Sequence, residues 1–158
     1  MDIIENGLYT VYDKYFKDYK SQWFCDNKSE NRPYYVSFVD EDNITWLIPL
    51  STQVDNYKKK ILSDEQKYKI CLFYHIGKVM GKERVFLIGN MFPIADEYIK
   101  KPYTFSGIHY IIKNKQLIKE LNKRAKRYLL LVEQGKLRPK VDILSIRDEI
   151  NKKSLITL

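Results

Sequence analysis

A long amphipathic helix from Asn114 to about Gln134 sets the first condition on the fold. Leu117, Ile118, Leu121, Ala125, Tyr128, Leu129 and Val132 recur at three- and four-residue intervals. On a helix of 3.6 residues per turn this gathers them into one apolar stripe about 120° wide. Lys119, Lys123, Lys126 and Arg127 fall on the opposite side, and Gly135 stands where a left-handed residue closes a helix. Such a stripe needs an apolar surface to cover it. The chain supplies one as strands. Tyr34 to Val39 and Ile44 to Ile48 are β-branched and aromatic runs separated by Asp40-Glu41-Asp42-Asn43, which predicts a hairpin with Tyr34, Val36 and Phe38 on one face and a second strand ending at Pro49. Ile70 to Ile76 and Arg84 to Ile88 predict a second hairpin, joined through Gly77 and the turn Gly81-Lys82-Glu83. Gly7 to Tyr12 reads as a first strand. Asp13 reads as the N-cap of a polar-aromatic helix reaching Trp23, and Asp142 as the start of a short last helix carrying Ile143, Ile146 and Ile150. The order predicts one α+β domain over residues 1–158, an antiparallel sheet with packed helices.

Charge narrows the partners. Of 28 basic and 20 acidic residues, ten basic and two acidic ones lie between Ile111 and Lys140, so the whole surplus of +8 sits in that stretch. A concentrated basic patch is the footprint of a phosphate-binding surface. No apolar run approaches the roughly 18 residues of a membrane span. Cys25 and Cys71 have no CxxC spacing, and the first residues do not read as a leader. A reduced, cytoplasmic protein with no membrane partner is expected.

The sequence holds no Walker loop, GxGxxG, HExxH or zinc-like Cys/His spacing, which removes nucleotide hydrolysis and zinc chemistry. His75 and His109 are each open to a general-base or a structural role. The Asp40-Glu41-Asp42 cluster fits turn geometry better than a metal site, and neither metal nor cofactor is expected.

One constellation is more specific. Arg32-Pro33-Tyr34-Tyr35 precedes the first hairpin, Trp46-Leu47-Ile48-Pro49-Leu50-Ser51-Thr52 ends it, and Lys58-Lys59-Lys60 follows. This resembles the ToxN/AbiQ family of type III toxins, in which a basic residue precedes the hairpin and a Pro-Leu or Pro-Ile pair precedes two hydroxyl residues. The TenpN branch is most similar, through Pro49 to Lys59 and again through Phe86 to Ile94, and the opening Leu8-Tyr9-Thr10-Val11 with Tyr15-Phe16-Lys17 resembles the family's first strand and helix. One departure stands out: ToxN-like members have a lysine where Val54 stands.

The resemblance implies a twisted antiparallel sheet or partial barrel of the MazF/CcdB type. It also implies a sequence-specific, metal-independent endoribonuclease toxin acting on cellular or phage RNA in growth arrest or phage defence. The inhibitor would be a small repeated pseudoknot RNA, bound in a closed toxin–RNA hetero-oligomer. Arg32 would neutralise developing phosphate charge and Ser51 and Thr52 would position the scissile phosphate, while Tyr9 and Lys58 are candidates for proton transfer or phosphate contact. Lys59, Lys60, Lys115, Lys119, Lys123, Arg124, Lys126 and Arg127 would bind RNA, with Tyr34, Tyr110 and Tyr128 as stacking candidates. Two alternatives remain: a non-catalytic basic RNA-binding protein, and a DNA-binding regulator, for which no helix-turn-helix spacing precedes the long helix.

Overall fold

The computed structural model describes residues 1–156. Its strands are β1 (Leu8–Val11), β2 (Tyr34–Val39), β3 (Thr45–Ser51), β4 (Tyr74–Val79), β5 (Lys82–Leu87), β6 (Phe92–Ile94), β7 (Ile99–Pro102), β8 (Thr104–Phe105) and β9 (Ile108–His109). Its helices are α1 (Asp13–Asp18), α2 (Val54–Tyr68), α3 (Lys115–Glu133) and α4 (Ile143–Ile156). The main sheet runs β4-β5-β3-β2-β1-β7, antiparallel throughout and not closed into a barrel, and β6 pairs with the first half of β3. Among the described residues no helix is long and apolar enough to cross a membrane.

α3 follows its sequence pattern closely. Asn114 caps it, its side chain accepting from the Leu117 amide at 3.0 Å, and Leu117, Leu121, Ala125, Tyr128, Leu129 and Val132 are all buried. Gly135 ends it at φ +73°. The approach of α3 to the sheet explains Gly77, which lies inside β4 opposite Arg84 rather than in a turn. A Cβ there would stand 2.6 Å from a Leu117 methyl carbon, so only glycine lets the helix come so near. The turn of that hairpin is Met80-Gly81, with φ of 55° and 73°, and Lys82 and Glu83 already belong to β5.

Three other elements depart from the sequence reading. β3 runs through Pro49 to Ser51; on its outer edge β6 covers Thr45 to Leu47 and β5 covers Leu50 and Ser51, so Pro49, which has no N–H, falls in the gap between them. A bulge at Ser37 shifts the register between Val36 and Phe38, which breaks the single face expected for Tyr34, Val36 and Phe38. α1 ends at Asp18, not Trp23, and Asp13 is its first helical residue rather than its cap. The Asp13 amide is satisfied instead by Glu30 Oε2 at 2.7 Å, and Tyr15 pins the helix in an aromatic cluster, stacking on Phe92 and donating its hydroxyl to the Pro93 carbonyl at 2.7 Å.

Candidate active site

Five separate segments converge on a small cleft of about 130 Å³. β1 supplies Leu8; the loop ahead of β2 supplies Lys28, Arg32 and Pro33; the end of β3 supplies Leu50, Ser51 and Thr52; the second hairpin supplies Val79, Met80 and Arg84. Tyr103, between β7 and β8, closes it. Among the described residues the lining therefore carries Lys28, Arg32 and Arg84 as cations, Ser51, Thr52 and Tyr103 as hydroxyls, and no carboxylate, imidazole or thiol. Cations and hydroxyl donors without an acid are the groups a phosphate requires.

Arg32 is 8% exposed. Its Nε donates to the Asp26 carbonyl and its Nη1 to the Leu50 carbonyl, each at 2.6 Å. Two backbone oxygens thus fix the guanidinium plane and leave N–H groups on Nη2 for an anion. Ser51 Oγ accepts from the Gln53 amide at 3.1 Å, so its own proton is available to donate. α2 starts at Val54, two residues past Thr52, and places the positive end of a helix beside the hydroxyl pair. Val54 is thus the first residue of a helix the sequence reading did not predict.

The loop that presents Lys28 and Arg32 is strained. Lys28, Ser29 and Glu30 lie in succession at φ 51°, 56° and 66°, a left-handed run that costs L-residues about 1–2 kcal/mol each. Asn27 offsets this from a buried position. Its Nδ2 donates to the Val11 carbonyl and to Asp13 Oδ1, its Oδ1 accepts from the Tyr34 hydroxyl, all at 2.9 Å, and its carbonyl accepts from the Asn31 and Arg32 amides. Glu30 completes the lock through the Asp13 amide and through Lys100 Nζ at 2.9 Å. These two contacts hold the Glu30 carboxyl below the usual carboxylate range. Strain held in place by its surroundings is a property of functional loops.

The other expected site residues lie elsewhere. Tyr9 is fully buried, its hydroxyl accepting from the Ile4 amide at 2.8 Å and its ring edge-on to His109 at 4.8 Å. Leu8 lines the cleft, and its neighbour in a strand points to the other face. Lys58 lies on α2 one turn beyond Val54, outside the cleft lining, with Nζ 3.4 Å from Glu83 Oε1. Lys59 and Lys60 follow it, Lys60 Nζ standing over the Tyr57 ring at 4.8 Å.

On α3, Lys115, Lys119, Lys123 and Arg127 are exposed. Arg124 instead straps the helix down, pairing with Glu120 and donating to the Cys71 carbonyl. Lys126 sits over Phe38 in a cleft with Glu5, Asp40, Glu41, Asp42 and Glu133. Asp40 belongs to its turn, accepting from the Asp42 and Ile44 amides and from Trp46 Nε1. Among the described residues no cluster of His, Cys, Asp or Glu could hold a metal ion.

His109 Nε2 lies 2.9 Å from the Leu8 carbonyl, and His75 sits by Arg124, its pKa lowered by burial first and that charge second. Tyr34 and Tyr128 are core residues, and burial pushes the Tyr128 hydroxyl up to about 12. Lys28, Arg84 and Tyr103 were not anticipated. No spacing announces them: the strand order β5-β3-β2-β1-β7 brings Arg84 and Tyr103 to the loop that carries Lys28 and Arg32.

No protein-family model and no curated protein matches the sequence. Two solved structures share its fold. One is AbiQ, a lactococcal anti-phage endoribonuclease belonging to the type-III toxin-antitoxin system; it superimposes with a TM-score of 0.62 over 87% of this chain and 88% of its own, at 14% identity. The other comes from a bacterial antiviral system regulated by a processed non-coding RNA, with a TM-score of 0.58 over 92% of this chain and 97% of its own, also at 14% identity. The antiparallel α+β architecture predicted from the sequence is thus that of AbiQ.

Proposed function

We propose that this protein is an endoribonuclease toxin of a type III toxin-antitoxin system, and that the cleft at Arg32, Ser51 and Thr52 is where it cuts. The observation that carries the reading is the lining itself: three cations and three hydroxyls, with no acid, on the fold of an endoribonuclease. When a ribose 2′-hydroxyl attacks the adjacent phosphorus, its proton passes to solvent, negative charge builds on the equatorial oxygens, and the bond to the 5′-oxygen breaks as that oxygen takes a proton from solvent. Arg32, locked by two carbonyls, meets that charge without reorganising. Ser51 and Thr52 donate to phosphate oxygens, and Lys28 and Arg84 extend the positive field. With no carboxylate or imidazole in the lining, the cleft contributes alignment and charge stabilisation rather than strong general-base catalysis. Tyr9 has no part in this scheme, and Lys58 acts at most from the rim. The products carry a 2′,3′-cyclic phosphate and a 5′-hydroxyl.

The inhibitor in this reading is a small repeated pseudoknot RNA. It is held by the exposed row Lys115, Lys119, Lys123 and Arg127 on α3 and by Lys59 and Lys60 on α2, and it closes into a hetero-oligomer with the toxin. The substrate is cellular or phage RNA, cut at a preferred sequence to give growth arrest or phage defence.

Incubating the purified protein with mixed-sequence RNA, with and without EDTA, tests the chemistry. Expected are 5′-hydroxyl ends in both samples. Abolition of cleavage by EDTA overturns the metal-independent mechanism, and RNA that is bound but never cut favours a non-catalytic binding protein.

A further inference from the structure

There is a second groove, and nothing in the scheme above uses it. It measures about 370 Å³ and is walled by Trp23, Phe24, Tyr57, Phe73 and Tyr74, with Arg138 and Lys140 among its lining and no acidic residue at all. Trp23 is 47% exposed, a large apolar surface left open to water. Lys140 Nζ stands 4.0 Å from the centroid of its indole ring. Across the groove Tyr57 and Tyr74 tilt together with centroids 4.8 Å apart, and Lys60 Nζ lies over both rings, at 4.8 and 5.9 Å. Cations held against open aromatic faces are what an unpaired nucleotide needs: a ring to stack its base on and an ammonium for its phosphate. The cleft between the first hairpin and α3 has the opposite character, its lining setting Glu5, Asp40, Glu41, Asp42 and Glu133 against Lys126 and Arg147, so a polyanion is disfavoured there.

The chain ties the groove to the cleft, because Phe24 lines the groove and the Asp26 carbonyl, two residues on, accepts from Arg32 Nε. Tyr57 sits three residues into α2, about 4.5 Å of helix rise from its first residue, and the Arg32 charge reaches its hydroxyl. We propose that this groove is a subsite for an unpaired base of single-stranded RNA next to the phosphate held at Arg32, with the base stacked on Trp23 and Lys140 and Lys60 on the flanking phosphates. It rests on the reading of the cleft as a ribonuclease site. Of the tyrosines expected to stack, Tyr34 and Tyr128 belong to the core and Tyr110 is packed against it; the exposed ring of this groove is Trp23, with Tyr57 and Tyr74 half-buried beside it.

The two tryptophans make a direct test possible, because Trp46 is fully buried and Trp23 is not. The probe is a mixed-sequence 2′-O-methyl RNA 12-mer, which cannot be cut, titrated into the full chain while tryptophan emission and the anisotropy of an end label are followed. Expected are saturable quenching in the wild type, no quenching by the same sequence as a duplex, and about tenfold weaker binding for Trp23→Ala, within the 1–3 kcal/mol per stacked base seen for such platforms. Lys140→Glu, which leaves the ring in place, should weaken binding as well. Binding by both variants within twofold of wild type overturns the subsite. A wild type that binds and is quenched but never cuts unmodified RNA overturns the ribonuclease reading and leaves the subsite standing. A wild type that neither binds nor cuts overturns both.

Discussion

Lys119 on α3 and Lys59 on α2 carry the same charge, but the helices that hold them are built differently. α3 has 19 residues, and six of them are buried against the sheet. α2 has 15 residues and none is buried; Val54, Tyr57, Ile61 and Asp64 form a half-covered face over β4 and β5 while Leu62 and Tyr68 stand in solvent. α3 is part of the core and displays its lysines from a rigid base. α2 is held by its edges, chiefly through Tyr57 on Tyr74 and Lys58 near Glu83. Of these two helices only α3 is part of the core, whereas α2, which begins beside Ser51 and Thr52, is expected to tolerate substitution without unfolding the sheet.

Removing the apolar groups tests this contrast most strongly. Leu121→Ala, at a fully buried site on α3, is expected to lower unfolding free energy by about 2–5 kcal/mol. Leu62→Ala on α2, at 59% exposure, should shift it by less than about 0.5 kcal/mol. Urea titrations of equal cost for the two would erase the distinction. Next come the lysines. A Lys59→Ala, Lys60→Ala pair and a Lys119→Ala, Lys123→Ala pair should each leave stability nearly unchanged. Each should reduce the log–log salt slope of single-stranded RNA binding by about 1.4 if both side chains meet phosphates. An unchanged slope for either pair removes that helix from the RNA surface.

The smallest effect concerns the strained loop, which owes its order to neither a stripe nor a charge row. The Glu30 pKa is depressed in the folded protein by the Asp13 amide and then by Lys100. Its contribution is therefore present above its ordinary value of 4.5 and is lost as pH falls through the lower folded value. Wild type should accordingly lose stability between pH 5 and 3 more steeply than Glu30→Gln, read as the difference in thermal midpoint. Parallel profiles would show that the lock does not depend on the charge.

What the sequence made legible follows the same contrast. The α3 stripe, its start near Asn114 and its Gly135 stop were plain because burial demands periodicity. α2 was less plain, because a helix with no buried residue needs no stripe, and Lys58, Lys59 and Lys60 read as a basic segment open to phosphate contact or to a solvated helix start. Arg32, Ser51 and Thr52 were found through a family resemblance, and the structure sets them around one cleft. Tyr9 stands among the candidates only because Leu8-Tyr9-Thr10-Val11 resembles the family's first strand, and its side chain is fully buried. Arg84 and Tyr103 reach the cleft from two other segments by sheet pairing and Lys28 from Arg32's own loop, while Arg124 bonds the Cys71 carbonyl and Lys126 lies in the acidic cleft. None of these placements follows from residue type alone.

Inducible expression of wild type beside an Arg32→Ala, Ser51→Ala, Thr52→Ala variant in a bacterial host, followed by mapping of RNA 5′ ends, tests the central claim most directly. The account predicts growth arrest and new, sequence-biased 5′-hydroxyl ends in the wild type, with cleavage reduced at least about 100-fold in the variant. The same new ends from both chains, at comparable yield, would place the cutting somewhere other than this cleft.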